Sequence, residues 1–96
     1  MIPDSFNLTL PDNFINNLQN EINMAYGPDR GKQSGLVLIP AFLNDFSKVL
    51  DRSDAGKIIS EEYMTEDKLL HLILTGKRCF NTKGVEKIVI SYEVRN

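Results

Sequence analysis

The chain has 96 residues, of which 42% are hydrophobic and 25% are charged, and its formal net charge is −2. This composition excludes wholesale disorder and predicts a single domain, residues 1–96, with one modest core. The small negative net charge excludes a global attraction to nucleic acid or to an anionic membrane. The single cysteine, Cys79, excludes an internal disulfide and favours a reducing, cytoplasmic setting.

Charge is sorted along the chain. Residues 1–29 contain acidic residues but no Lys or Arg, whereas residues 68–96 contain six basic residues against two acidic ones. Two regions of opposite sign on one small domain predict surfaces that meet partners. We expect no membrane contact, because the longest apolar stretch, 36–43, is far short of the ~20 residues that a span needs.

The first 27 residues predict a strand and then a helix. Residues 5–10 alternate apolar and polar side chains with period two, which is typical of a short strand. Over residues 12–26 the apolar residues recur at helical spacing. Asp12 is the predicted N-cap of this helix, and Gly27 followed by Pro28 is its predicted end.

The next segment predicts a loop, a strand and a second helix. Residues 27–35 are polar and contain three glycines, which indicates a connecting loop. The apolar run 36–39 is predicted to be a buried strand. Pro40 suits the first turn of a helix, and the spacing predicts a helix over about residues 40–51, followed by a turn at 51–57.

The stretch from Ile58 to Thr75 fits two structures. A helix over 65–75 would begin at an acidic turn and end at a glycine. Its leucines would then cover most of the helix circumference, which a small domain buries with difficulty. The alternative is a hairpin in which 58–63 pairs with 69–74.

The C-terminal end predicts a hairpin. Residues 85–94 alternate as a strand does, and residues 81–84 are typical of a turn. Residues 77–94 are therefore a predicted hairpin with Lys83 and Gly84 at or near its tip. The fold class is α+β: a small single domain with an antiparallel sheet, two or three helices and a C-terminal hairpin.

No residue pattern indicates a catalytic, metal or cofactor site. His71 is the only histidine and lies in an apolar run, so we expect a half-buried core histidine. On the predicted hairpin, Phe80 should face the core and Cys79 the wetter side. Cationic neighbours can activate a thiol, but no base or second thiol is placed near Cys79 by spacing.

The glycine-rich loop 27–35 does not match a nucleotide-binding loop. Such a loop follows a strand and opens a helix, whereas here a helix precedes and a strand is predicted to follow. A weaker alternative is that Arg30, Lys32 and free backbone N–H groups bind an anion or small ligand.

These observations favour a protein that is not an enzyme and acts by occupying a surface of another macromolecule, as inhibitors, immunity proteins and regulatory subunits do. A short sheet also leaves edges through which copies can associate. The predicted partner-binding residues are Arg30, Lys32, Asp51, Asp54, Glu61, Glu62, Glu66 and Asp67. The alternative is nucleic-acid binding by the basic hairpin through Lys77, Arg78, Lys83 and Lys87.

Overall fold

The computed structural model describes residues 10–80 and 86–95. Its elements are α1 (Phe14–Tyr26), α2 (Pro28–Asp51), β1 (Ile58–Met64), β2 (His71–Phe80) and β3 (Glu86–Arg95). The two helices form a hairpin that packs on one face of a three-stranded antiparallel sheet of order β1-β2-β3. The predicted α+β class is confirmed. The strand predicted over 5–10 lies outside the described residues except for Leu10, which packs against the core.

Helix α1 has the predicted extent but not the predicted cap. Asn13 occupies the N-cap position with φ 63°, and no side chain caps the helix. The prediction for Asp12 was wrong, because the chain enters the helix through a turn in which the Phe14 N–H donates to the Pro11 carbonyl at 3.1 Å. Gly27 has φ 86° and ψ 158°, so a single residue reverses the chain between the helices.

Helix α2 replaces the predicted loop 27–35 and the predicted strand 36–39, both of which were wrong. Pro28 begins this 24-residue helix at its first turn, where its missing N–H is not needed. Gly31 and Gly35 do not mark a turn; they are buried against α1. A Cβ on Gly31 would lie 2.6 Å from the Cα of Asn23. The glycines therefore permit close helix packing, and the predicted helix 40–51 is the second half of α2.

A hairpin is formed, so the helix over 65–75 is wrong, but residues 58–64 pair with 71–77 rather than 58–63 with 69–74. Strand β1 pairs with β2 from Ile58↔Lys77 to Met64↔His71. In a strand, alternate side chains point to opposite faces, so Leu72 and Leu74 can be fully buried against the helices while Ile73 lies on the other face. The sheet thus buries this apolar run without a helix enclosed on all sides.

The C-terminal hairpin contains the strand predicted over 85–94, which the structure places at Glu86–Arg95 as β3. Strand β3 pairs with β2 from Phe80↔Glu86 to His71↔Arg95. Lys83 and Gly84, the predicted tip, lie outside the described residues. Among the described residues, neither helix combines the length and apolar character that crossing a bilayer requires.

The core lies between the helical hairpin and the inner face of the sheet. Helix α2 approaches the sheet closely at Gly76, since a Cβ there would lie 2.9 Å from the ring of Phe46. The buried apolar residues of this core are Phe14, Leu18, Ile22, Ile39, Phe42, Leu43, Phe46, Leu50, Leu70, Leu72, Leu74, Ile88 and Ile90. The opposite face of the sheet, called the open face below, carries no helix among the described residues.

Candidate docking groove and sheet edge

A groove of about 690 Å³ lies between the first half of α2 and the turn that joins β1 to β2. Val37, Leu38 and Phe42 of α2 form one wall, and Met64 at the end of β1 contributes to the other. Its remaining lining residues are Tyr26, Arg30, Gln33, Ser34, Thr65, Glu66 and Asp67. The groove therefore combines an apolar wall with a polar, charged end.

Asp67 holds the polar end of the groove together. Its Oδ1 accepts hydrogen bonds from Tyr26 Oη at 2.9 Å and from Thr65 Oγ1 at 2.7 Å. These bonds, the Thr65 bond foremost, lower the pKa of the Asp67 carboxyl. Arg30 lies 3.8 Å from Asp67 Oδ2 and stacks 5.2 Å above the ring of Tyr26. The turn is thereby fastened to the corner of the helical hairpin.

The apolar wall of the groove is exposed. Val37 is 69% exposed and its neighbour Leu36 is 72% exposed, although both lie in the middle of a long helix. Met64 is 54% exposed on the other side. Clustered exposed apolar side chains beside a groove are typical of an interaction site.

Two carboxylates, Glu61 of β1 and Asp45 of α2, lie near Tyr63. Tyr63 packs against Phe42 with ring centroids 5.2 Å apart. Burial, with Glu61 and Asp45 nearby, raises the pKa of Tyr63 to about 12. The negative field of these two carboxylates therefore reaches the inner side of β1.

The outer edge of β1 pairs with no strand among residues 10–80 and 86–95. The Thr65 N–H donates to the Leu70 carbonyl at 3.1 Å. Antiparallel partners alternate between bonded and non-bonded pairs, so the N–H groups of Ile59, Glu61 and Tyr63 point to β2. Those of Ser60, Glu62 and Met64 consequently point outward, away from the sheet.

The predicted acidic residues do not form one patch. Glu66 and Asp67 line the groove, and Glu61 lies on the inner side of β1. Glu62 is on the open face, with its carboxylate 3.7 Å from Arg95 and 3.8 Å from His71. Asp51 and Asp54 are exposed residues at the far end of α2.

The predicted basic residues are also divided. Lys77 and Lys87 share the open face of the sheet, since they lie at same-face register positions. Arg78 points to the other side, where its Nη1 donates to the carbonyls of Asp51 at 3.0 Å and Ser53 at 2.8 Å. Arg78 thus caps the C-terminus of α2, and Lys83 lies outside the described residues.

His71 and Cys79 lie at opposite ends of β2. They are eight positions apart along the strand, about 26 Å at about 3.3 Å per residue, so they cannot act on one small substrate. His71 is half-buried, as predicted, but it lies on the open face and is not part of the core. Phe80 was predicted to face the core but is 62% exposed, because α2 already ends beside Arg78.

The predicted anion site depended on a loop at 27–35, but residues 28–35 belong to α2. The Gly31 N–H already donates to the Gly27 carbonyl at 2.7 Å as part of α2. Arg30 is engaged with Asp67 and Tyr26, and Lys32 is exposed on the helix. Within the two described stretches, no group of three or more His, Cys, Asp or Glu residues could hold a metal ion.

Sequence reasoning missed Val37, Leu38 and Tyr26 as groove residues. The apolar run Leu36 to Ile39 predicts a buried strand, and this wrong prediction does not anticipate that Leu36 and Val37 are exposed on α2. The four-residue spacing of Gly31 and Gly35 was a usable signal, since it places both on one face of a helix.

No family model matches the chain, and no curated protein or solved structure matches it.

Proposed function

We propose that this protein is a non-enzymatic binding protein that occupies a surface of another protein, of the inhibitor, immunity or regulatory type. The groove between α2 and the β1–β2 turn is the proposed binding surface. The observation that carries the proposal is the 69% exposure of Val37 on the apolar wall of the groove. Exposed apolar side chains in a concave site gain free energy when a partner covers them, by about 25 cal/mol per Å² of apolar area.

The charged end of the groove supports a specific partner. Glu66 and Asp67 line it, and Arg30 is positioned by its contacts with Asp67 and Tyr26. Side chains that are already fixed in the free protein lose little entropy when a partner binds. The single cysteine favours a reducing compartment, and a cytoplasmic site of action is part of the proposal.

A photo-crosslinking amino acid at position 37 tests this proposal in the native cell. The matched control carries the same amino acid at Ala55, which is exposed in the turn after α2. We expect a discrete protein adduct from position 37 that position 55 does not give. The same adducts from both positions, or none from position 37, would contradict the proposal.

A further inference from the structure

We infer that the occupant of this site is an extended, basic segment of a partner protein that adds to the sheet as a strand along the outer edge of β1. This inference rests on the proposed function and names the class of partner. Strand addition of this kind takes its affinity from main-chain hydrogen bonds and its specificity from alternate side chains.

The edge of β1 offers the backbone groups that strand addition requires. The N–H groups of Ser60, Glu62 and Met64 point outward, and within the described part of the chain no strand pairs with them. An unpaired edge of this kind is a template for another strand. An added strand would lie about 4.8 Å from β1.

The groove lies where the side chains of an added strand would fall. Met64 and Thr65, at the end of β1, line the groove together with Val37, Leu38 and Phe42 on α2. Every second side chain of the added strand points to the helix side of the sheet. Apolar side chains at these positions would therefore enter the groove beside α2.

The negative charge of β1 favours a basic partner segment. Strand β1 contains Glu61 and Glu62 and neither Lys nor Arg. Glu61 lies on the inner side of β1, at the register position of the buried Leu74. Glu62 is partly neutralised by Arg95 at 3.7 Å, so Glu61 supplies most of the preference. Opposite charges placed across neighbouring strands are stabilising.

A second copy of this chain fits the edge poorly. If two copies paired β1 with β1 across a two-fold axis, the register that pairs all seven residues would place Glu61 opposite Glu61 of the other copy. Like charges directly opposite each other destabilise strand pairing. The other edge, β3, carries Lys87, Glu93 and Arg95 and so has no single preference for a charged strand.

Fluorescence anisotropy with a labelled peptide, acetyl-Lys-Lys-Val-Val-Lys-Lys-Val-Val-amide, tests the inference on the full chain, because each face of this strand carries both Lys and Val. Ser60→Pro removes an outward N–H without removing a β1–β2 hydrogen bond, whereas Ser60→Ala keeps that N–H. We expect Ser60→Ala to bind like the wild type and Ser60→Pro to bind about tenfold more weakly or worse. Glu61→Gln should weaken binding about threefold or more, and the acidic analogue with Glu in place of Lys should not bind.

A second probe keeps the test valid if Ser60→Pro fails to fold. The same basic peptide, N-methylated at alternate residues so that the amides facing β1 cannot donate, should lose its affinity for the wild-type protein. Equal binding of the methylated and unmethylated peptides, or of the basic and acidic peptides, would overturn the inference. So would no binding at about 1 mM protein, which would assign the edge to residues 1–9, a second copy or no strand. Adducts at position 37 without peptide binding would retain the proposed function and reject only the basic strand.

Discussion

At the scale of single residues, polar side chains near the groove have defined partners. Asp67 accepts hydrogen bonds from Thr65, Tyr26 and the Leu69 N–H, and these contacts lower the pKa of its carboxyl. The pKa of Tyr63 is raised rather than lowered, because burial and two nearby carboxylates disfavour its ionised form. The groove therefore has one end fixed by hydrogen bonds and one flank with a negative field.

The raised pKa of Tyr63 predicts an alkaline loss of stability. Its pKa of about 12 in the folded protein exceeds the ordinary value of 10.0. The stability from keeping Tyr63 neutral is complete below pH 10 and is lost as the pH rises toward 12. Urea unfolding between about pH 9 and pH 11 should show a shallower decline for Tyr63→Phe than for the wild type. Burial also raises the pKa of Tyr92, but less than that of Tyr63, so Tyr92→Phe should keep more of the decline than Tyr63→Phe, and equal slopes for both variants would contradict the assignment.

At the scale of elements, the helical hairpin depends on glycine. Gly31 and Gly35 let α2 approach α1, and Gln19 Nε2 donates to the Gly31 carbonyl at 2.9 Å across the contact. This packing directs the first half of α2 so that Val37 faces the groove.

Gly31→Ala should destabilise the protein although alanine is the better helix former by about 1 kcal/mol. The new Cβ would lie 2.6 Å from the Asn23 Cα, which is backbone and cannot move cheaply. We expect a loss of about 1–3 kcal/mol in the free energy of unfolding, measured with urea. Lys32→Ala on the exposed neighbour should change it by less than about 0.5 kcal/mol. A stability gain in Gly31→Ala would show that the helices do not pack through this residue.

The elements also show what the sequence could predict. Helix α1 and strand β3 have clean periodicity, and both were predicted within two residues of their observed bounds. The first half of α2 was missed because glycine near proline usually marks a loop, and only tertiary packing shows that Gly31 and Gly35 lie in a helix. Of the predicted site residues, Arg30, Glu66 and Asp67 meet at one groove. Their meeting depends on the hairpin bringing residue 67 to residue 30, which no local pattern encodes.

At the scale of the whole molecule, the charge sorting of the sequence does not become two opposed faces. The basic C-terminal third is folded into two strands, where Arg78 caps α2 and Arg95 neutralises Glu62. Two of the six basic residues in 68–96, Arg78 and Arg95, therefore make contacts within the chain. For the proposed partner, residues 10–80 and 86–95 leave the outer edge of β1, which pairs with no strand among them, a groove beside that edge and the carboxylate of Glu61.

Hydrogen exchange of the β1 amides on adding the basic peptide probe tests strand addition most directly. In the free protein the amides of Ile59, Glu61 and Tyr63 should be protected by β2, and those of Ser60, Glu62 and Met64 should exchange rapidly. If a strand adds to β1, the probe slows exchange at the amides of Ser60, Glu62 and Met64 and leaves the amides that bond to β2 unchanged. Unchanged exchange at those three amides, or protection that falls on β3 instead, would contradict it.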